Sequence, residues 1–464
     1  MNTAANRMDT LFNPRSVAVV GASENPSKLG YHVMLSLAGG GFSGKIVPVN
    51  PGASSIKGLK AFASITSIPH DIDLAIIVVP AQNAPHIFNE CCSKGVKGIV
   101  LITAGFREID DPQGAGLHEE LASIVKPYDI PVIGPNTFGI IHLHAHLNAS
   151  FTPEFSRVKQ GGISLVSQSG GMSHLLSFMA MRERVGFCKI VGIGNRLNVS
   201  FAQMVDYLMY DSATDVVLLY MEGIERPREL IETARDHRGK KPVIVYKTGM
   251  GAIGDRASLS HTGSLAGRDD LYANSFRQAG ILDVESVEDL LDAGKALACS
   301  PVMETSGVAV ISSQAGPGMA AADICQMENL TIVSFSEVTQ KKINEILPPL
   351  ALRTNPIDMG PAWYNADAVA GILQAVMKDD NVDGILLFMM FASANIDSIK
   401  SLSFLLDGRG MKKPLLTCLS APPGIWDDYI EQYEEAGILI NFATPERAAQ
   451  AMVNLNRYRK AVRD

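Results

Sequence analysis

The sequence of 464 residues has few of the features that mark a membrane, nucleic-acid-binding or secreted protein. Charged residues make up only 19% of it, the formal net charge is −8, and no run of Lys and Arg forms a basic stripe for DNA or RNA. No apolar run approaches the roughly eighteen residues that a membrane helix needs. Residues 1–16 have no long apolar core and do not resemble a signal peptide. We therefore expect a cytoplasmic protein whose partners include neither nucleic acid nor a membrane.

Cysteines are also few, and their spacing excludes two further classes. None of the six forms a C-x-x-C pair, and the adjacent Cys91 and Cys92 cannot readily bridge to each other. We expect reduced thiols and neither a disulfide framework nor a zinc site. An extended segment would place His142, His144 and His146 on one face, but no Cys or carboxylate cluster accompanies them. We therefore expect no metal site there.

What the sequence has in quantity is apolar residues, 47% of the chain, and 41 glycines. This composition favours an α/β protein with several packed cores and many tight turns, and the length suggests about three domains. Short apolar runs alternate with helix-length segments throughout, which is the pattern of buried parallel strands. The predicted strands start with Ser16-Val-Ala-Val-Val20, Gly161-Gly-Ile-Ser-Leu-Val166 and Gly307-Val-Ala-Val-Ile311 in the three units.

These patterns predict three consecutive Rossmann-like or flavodoxin-like domains with parallel sheets, covering residues 1–147, 148–300 and 301–464. Linkers are expected near residues 146–160 and 299–306. In each unit a strand is followed by a small-residue turn and a helix. The turns are Gly21-Ala-Ser23, Ser167-Gln-Ser-Gly-Gly171 and Ser313-Gln-Ala-Gly-Pro-Gly318.

The turn of the first unit has the chemistry of a phosphate site. Glycine lets a phosphate approach the backbone, and a helix N-terminus favours an anion. The spacing is not the G-x-G-x-x-G of dinucleotide-binding proteins, and a turn needed only for packing explains Gly21 equally well. Val79 and residues 103–106 end two further strands. Ligands of such sheets bind at the carboxyl ends of strands, so the three turns together predict one elongated cofactor.

The second unit contains candidates for phosphoryl chemistry. Ser167 and Ser169 open a helix, where their hydroxyls can be N-caps or can hold a transferable phosphate. His261 is flanked by glycines and small residues, unlike an ordinary core histidine. A histidine nucleophile needs an acceptor on its other ring nitrogen. Glu222, just past a buried strand, is positioned to supply one, although a solvated loop glutamate is the ordinary alternative.

Five segments in this order resemble the NDP-forming acyl-CoA synthetases, most of all the alpha subunits of the ADP-forming acetyl-CoA synthetases. More distantly they resemble the alpha subunit of succinyl-CoA synthetase. The resemblance covers essentially the whole chain; relatives more often have a run of glycines at Ser313-Gln-Ala-Gly-Pro-Gly318. The segments are Asn13-Pro-Arg-Ser-Val-Ala-Val-Val-Gly-Ala-Ser23, Ile133-Gly-Pro-Asn136, Val166-Ser-Gln-Ser-Gly170, Tyr220-Met-Glu-Gly-Ile224 and Ser260-His-Thr-Gly-Ser-Leu-Ala-Gly267.

The resemblance implies a reaction in which acyl-CoA, ADP and phosphate interconvert with a small carboxylic acid, CoA and ATP through an acyl phosphate. It implies that His261 carries the phosphoryl group, that Glu222 orients it, and that Ser167, Ser169, Gly170 and Gly171 cradle the phosphate. ADP or ATP with Mg²⁺ is expected on an ATP-grasp beta subunit, in an α2β2 assembly. The residues implied around CoA are Gly21, Ser23, Lys28, Pro51, Val79, Thr103, Ala104, Phe106 and Asn136.

Two other functions remain open on the sequence. One is a CoA-sensing regulatory protein that keeps the fold without catalysis, against which the intact set of His261, Glu222, Ser167 and Ser169 argues. The other is a nicotinamide-dependent Rossmann enzyme, which the missing G-x-G-x-x-G disfavours.

Overall fold

The computed structural model describes residues 3–249, 269–407 and 412–463. The chain divides into two compact units, Met1–Val287 and Glu288–Asp464, which we describe separately. The predicted α/β class with mostly parallel sheets is confirmed. The division into three domains remains a prediction.

The first unit opens with a parallel sheet of five strands, covered by helices that follow them in the chain. Its strands are short and almost fully buried, as expected for Val- and Ile-rich segments packed on both faces. The strands are β1 Ser16–Val20, β2 Lys45–Val49, β5 Leu74–Ile77, β6 Gly98–Leu101 and β7 Val132–Ile133, with the ribbon β3 Ser55–Ile56 and β4 Leu59–Lys60 inserted. The helices are α1 Thr3–Phe12, α2 Leu29–Gly39, α3 Ala84–Lys94 and α4 Pro112–Val125.

A second sheet of seven strands completes this unit. Five of its strands are parallel, and an antiparallel hairpin extends one edge. The strands are β8 Gly139–His142, β9 Leu147–Ser150, β10 Gln160–Ser167, β11 Phe187–Gly192, β12 Val216–Met221, β13 Val243–Lys247 and β14 Leu282–Val284. The helices are α5 Gly170–Arg182, α6 Phe201–Tyr210, α7 Pro227–Asp236 and α8 Asp269–Ala279.

The second unit starts with a helix and contains the third sheet, whose strands are again parallel and largely buried. The strands are β15 Gly307–Ser312, β16 Thr331–Ile332, β17 Ile357–Asp358, β18 Gly384–Met390, β19 Leu415–Ser420 and β20 Ile440–Asn441. The helices are α9 Val287–Cys299, α10 Ala315–Met327, α11 Glu337–Ile346, α12 Ala366–Met377, α13 Asp427–Glu435 and α14 Pro445–Arg463. Short 3-10 helices span Ala81–Asn83, Lys126–Tyr128, Pro153–Arg157, Gly360–Tyr364 and Ser393–Asp407.

All three sheets share one strand order. If their five main parallel strands are counted along the chain, each sheet runs 2-1-3-4-5. The order reverses between β1 and β5, between β10 and β12, and between β15 and β18. At such a switch point the connections leave in opposite directions, which opens a crevice at the carboxyl ends of the two strands.

Two predictions for the region after β7 are wrong. The expected linker near residues 146–160 contains β9, which pairs with β8 at the edge of the second sheet. The three histidines do not share an extended face, because β8 ends at His142 and the hairpin turn follows. His142 is buried, whereas His144 and His146 are exposed.

Other expectations from composition concern thiols, membranes and metals. All six cysteines are free, and only Cys299 is exposed. Among the described helices, none combines the length and the apolar character needed to cross a membrane. Within the same part of the chain, no group of three or more His, Cys, Asp or Glu side chains is arranged to hold a metal ion.

Candidate functional site

A cavity of about 800 Å³ lies at the switch point of the first sheet, bounded by the loops that follow β1, β2, β5 and β6. This is the position at which a doubly wound sheet binds its ligand, and the volume suits a large cofactor. Seven of the residues predicted around CoA line it. They are Gly21, Ser23, Lys28, Pro51, Val79, Thr103 and Ala104.

Two glycines allow the loop after β1 to lie directly against the start of α2. Gly21 has φ +93°, and a Cβ on it would stand 2.6 Å from the carbonyl oxygen of Val78. A Cβ on Gly30 would stand 2.0 Å from the carbonyl oxygen of Gly21. Larger residues at either position would push the loop outward and change the floor of the cavity.

The polar groups of this cavity suit a phosphate-bearing ligand. Lys28 is exposed, precedes the first residue of α2, and is the only Lys or Arg among the described residues that line the cavity. The start of the 11-residue α2 adds the positive end of a helix dipole. The Ser23 hydroxyl accepts a hydrogen bond from the Asn25 N–H at 3.0 Å, so it shapes the turn.

The other two predicted CoA residues lie beside this cavity and do not line it. Phe106 is fully buried in the core, and its N–H donates to the Glu108 carboxylate. Asn136 has φ +59° and donates its N–H to the Thr103 carbonyl at 2.9 Å. Its amide lies 3.5 Å from the side-chain oxygen of Asn195, in the loop after β11. Asn136 thus connects the turn after β6 to the second sheet.

The turn after β10 forms a capped helix start at the second switch point. The buried Ser167 hydroxyl donates to the Ser169 carbonyl at 2.8 Å, so in this conformation it holds the turn together. The Ser169 side chain accepts from the Met172 N–H at 3.4 Å and is the N-cap of α5. Gly170 and Gly171 are the first helical residues, and Gly171 is exposed. The backbone N–H groups of this 13-residue helix therefore offer an anion site.

Glu222 follows the last residue of β12, on the other side of the same switch point. The buried Gln168 side-chain oxygen accepts hydrogen bonds from the N–H groups of Glu222 and Gly223, at 2.9 and 3.1 Å. Lys247, at the end of β13, donates from Nζ to the Glu222 carbonyl at 2.8 Å and to the Thr248 carbonyl at 2.7 Å. The backbone of the Glu222 loop is thereby fixed to the turn that starts α5.

Gln168 is a residue that the sequence did not single out. It lies between Ser167 and Ser169, and that position was the only available signal. His261, the predicted phosphoryl carrier, lies in residues 250–268, outside the described residues.

The fold and these two crevices define a class: an α/β protein with a large cavity at the switch point of one sheet and a capped helix start at that of the next. Two family models match successive parts of the chain. Residues 15–143 match the CoA binding domain family, and residues 160–297 match the succinyl-CoA ligase like flavodoxin domain.

Curated relatives extend the similarity to the whole chain. The Pyrococcus furiosus acetate–CoA ligase [ADP-forming] I subunit alpha is 33% identical over 98% of this chain and 98% of its own length. The subunit alpha of enzyme II from that organism is 37% identical over 81% of each chain. The Archaeoglobus fulgidus acetate–CoA ligase [ADP-forming] I is 36% identical, and this chain spans 64% of its length.

A solved structure agrees. The Ca. Korarchaeum cryptofilum acetyl-coenzyme A synthetase 1, in complex with phosphate and ADP, superposes with a TM-score of 0.90. It is 33% identical, and the match covers 98% of this chain and 97% of that one. The chain belongs to the family of ADP-forming acetate–CoA ligases, and the predicted family is confirmed.

Proposed function

We propose that the chain is the alpha subunit of an ADP-forming acyl-CoA ligase. The reaction interconverts acyl-CoA, ADP and phosphate with a carboxylic acid, CoA and ATP. His261 carries the phosphoryl group between an acyl phosphate and ADP, Glu222 orients the imidazole, and the start of α5 holds the phosphate.

One observation carries this proposal: at the second switch point, Gln168 fixes the Glu222 loop beside the Ser169-capped start of α5. A carboxylate on a fixed loop can select the imidazole tautomer and stabilise the positive charge that forms as a histidine attacks phosphorus. Free N–H groups at a helix start stabilise the negative charge of the transferring group. Phosphoryl transfer needs little else from a protein than such positioning and charge compensation.

The cavity of the first sheet is the proposed CoA site. Lys28 and the start of α2 would hold CoA phosphates, while Val79, Thr103 and Ala104 line the wall formed by the neighbouring strand ends. Thr103 Oγ1 donates to the Val79 carbonyl at 2.6 Å, which ties those two strand ends together. CoA supplies the thiol that accepts the acyl group.

The proposal includes a partner subunit. Relatives of this chain are named as alpha subunits, and we infer an ATP-grasp beta subunit that binds ADP with Mg²⁺, in an α2β2 assembly. A cytoplasmic location fits the free thiols of the described cysteines. The alternative of a CoA-sensing regulator is not favoured, because the relatives are named as ligases.

The test is phosphate incorporation from acyl-CoA and labelled phosphate. We expect His261→Asn to abolish acid-labile labelling of the chain. Glu222→Gln should slow labelling while the affinity for CoA stays close to that of the unchanged protein, since Glu222 does not line the CoA cavity. Normal labelling of His261→Asn would refute the assignment, and an equal loss of labelling and CoA affinity in Glu222→Gln would indicate misfolding.

A further inference from the structure

A second cavity, of about 130 Å³, lies in the first unit between the loops that follow β6, β11 and β12. It shares no lining residue with the cavity at the first switch point. Of its lining residues, only Ile224 belongs to a segment that the sequence pointed to. Its charged and titratable walls are Arg107, His118, Arg196, Glu225, Arg226 and Glu229.

The cavity has an excess of positive charge that is only partly compensated. The guanidinium groups of Arg107 and Arg196 share one carboxylate oxygen, Glu225 Oε1, at 2.8 and 3.4 Å. Arg196 is only 8% exposed, whereas the Glu225 side chain is 43% exposed. Arg226 pairs with Glu229 at 2.7 Å. Among the lining residues, three guanidinium groups thus face two carboxylates, while Glu108 and Glu222 add negative charge near His118 and Arg196. The shared Glu225 carboxylate is the accessible member of its cluster.

The start of α6 adds backbone donors to the same cavity. Ser200 and Gln203 form a reciprocal capping box, which satisfies the N–H groups of these two residues. The N–H groups of Phe201 and Ala202 lie in the first helical turn, where no intrahelical acceptor exists. Both residues line the cavity. The positive end of the α6 dipole reinforces the charge of the arginines.

Two buried polar atoms of this cluster have no hydrogen-bond partner within the described part of the chain. His118 is 9% exposed, and within the described part of the chain its Nδ1 has no hydrogen-bond partner. Arg107 Nε is likewise buried and without a partner there. Leaving such atoms unsatisfied is unfavourable, so an oxyanion that moves the Glu225 carboxylate aside and accepts from either atom would be stabilised. Burial, together with Arg107, lowers the pKa of His118 to about 4, so near neutral pH its uncharged ring keeps one N–H to donate.

We propose that this cavity binds a small oxyanion, either inorganic phosphate or the carboxylate of a short acid, which replaces the Glu225 carboxylate between Arg107 and Arg196. The volume equals that of about four water molecules, at roughly 30 Å³ each in the liquid, and so admits an anion of this size. Glu225 follows Glu222 by three residues in the same loop. Binding of the anion therefore releases an anchor of the loop that carries Glu222, whether or not Glu222 has the role proposed above.

The test is isothermal titration calorimetry of the full-length chain in low-chloride buffer, with inorganic phosphate in one series and acetate in another. We expect Arg107→Gln to weaken binding at least about tenfold, because a charge-assisted hydrogen bond is lost. Glu225→Gln should tighten binding about tenfold, because the competing carboxylate is removed. Arg228→Gln, at an 89% exposed side chain on α7, is the matched control and should bind like the unchanged protein.

The outcomes distinguish the ligand and the site. Binding of phosphate, of acetate or of both, with the expected changes in the variants, supports the oxyanion site and identifies its chemistry. A gain of affinity in Glu225→Gln cannot result from misfolding. The proposal is overturned if Glu225→Gln binds neither anion, or if phosphate binding weakens in Ser169→Ala and is unchanged in Glu225→Gln, which would place that phosphate at the start of α5.

Discussion

At the scale of single residues, Gly21 is a position where the backbone itself decides the residue type. Its φ of +93° is rarely adopted by L-residues, and the loop that it belongs to forms part of the proposed CoA cavity. The glycine in Gly21-Ala-Ser23 was visible in the sequence, but its two possible explanations, packing and ligand approach, were not separable there. In the structure the backbone at Gly21 lies close to the Val78 carbonyl, and this close packing also shapes the cavity.

We predict that Gly21→Ala lowers the free energy of unfolding by about 1–3 kcal/mol, the usual cost of a strained backbone position. It should also weaken CoA binding, because the loop after β1 must move to relieve the contact with Val78. Chemical denaturation and CoA titration measure the two effects.

Gly39→Ala is the matched control for this prediction. Gly39 is the last residue of α2, has no positive φ, and has no atom within 4 Å of an added Cβ. The same substitution there should leave CoA binding unchanged and stabilise the protein slightly, since alanine favours helix. If Gly21→Ala behaves like Gly39→Ala, the loop does not require glycine.

At the scale of elements, the strands that the sequence predicted best are those whose composition alone determines them. β1 begins and ends at the predicted residues, and β15 begins at the predicted Gly307, since each is a short apolar run that follows polar or turn residues. The hairpin of β8 and β9 was missed. Leu147–Ser150 is half polar, and it is buried because it pairs with β8 at the edge of the second sheet and packs against α2. Such a strand is stabilised by its partners, which a single sequence does not show.

The same hairpin places His142 where its protonation opposes folding. Its Nδ1 lies 3.0 Å from the Phe12 carbonyl, and burial, together with the Lys189 cation, lowers its pKa to about 4. In the unfolded chain a histidine has a pKa of about 6.5. Between these values the unfolded state binds more protons, so stability is complete above about pH 6.5 and is lost as the pH falls towards 4.

We predict that protonation of His142 alone lowers the free energy of unfolding by about 3 kcal/mol as the pH falls from 7 to 4. His142→Asn keeps a donor near Phe12 but cannot titrate, so its unfolding free energy should depend less on pH than that of the unchanged protein. Urea denaturation at pH 7, 5.5 and 4.5 measures the difference in slope. His86→Asn, at a 77% exposed side chain on α3, should retain the original slope. Identical slopes for all three proteins would contradict the burial argument.

At the scale of the whole molecule, one strand order recurs three times, and one type of loop recurs in two of the three sheets. In the second sheet, Ser167 Oγ donates to the carbonyl of Ser169 and accepts from its N–H. In the third sheet, Ser312 Oγ makes the same two bonds with Gln314. The two loops differ in helix capping: the Ser169 side chain caps α5, whereas the Gln314 side chain makes no cap hydrogen bond to α10. The repeated theme was readable in the sequence, but the loss of the cap was not.

Helix α9 decides where the second compact unit of the chain begins. The sequence predicted a domain boundary at residue 300, with a linker near residues 299–306. The second compact unit of the structure begins at Glu288. Charged side chains of α9 explain why: Asp292 makes two hydrogen bonds to Arg447 at 2.6 and 2.7 Å, and Lys295 lies 2.7 Å from the Glu434 carboxylate. Ala296, on the same helix, joins the core beneath α14.

We predict that a fragment of residues 286–464 unfolds cooperatively, whereas a fragment of residues 301–464 is much less stable or does not fold. Removal of α9 takes away Asp292 from Arg447 and Lys295 from Glu434, and it exposes the apolar surface around Ala296. Breaking one buried charge pair alone costs about 3–5 kcal/mol, a large part of the stability of a typical domain. Circular dichroism during urea denaturation measures both fragments, and Asp292→Asn in the longer fragment should show an intermediate loss. Equal stability of the two fragments would instead place the boundary at residue 300 and make α9 a linker.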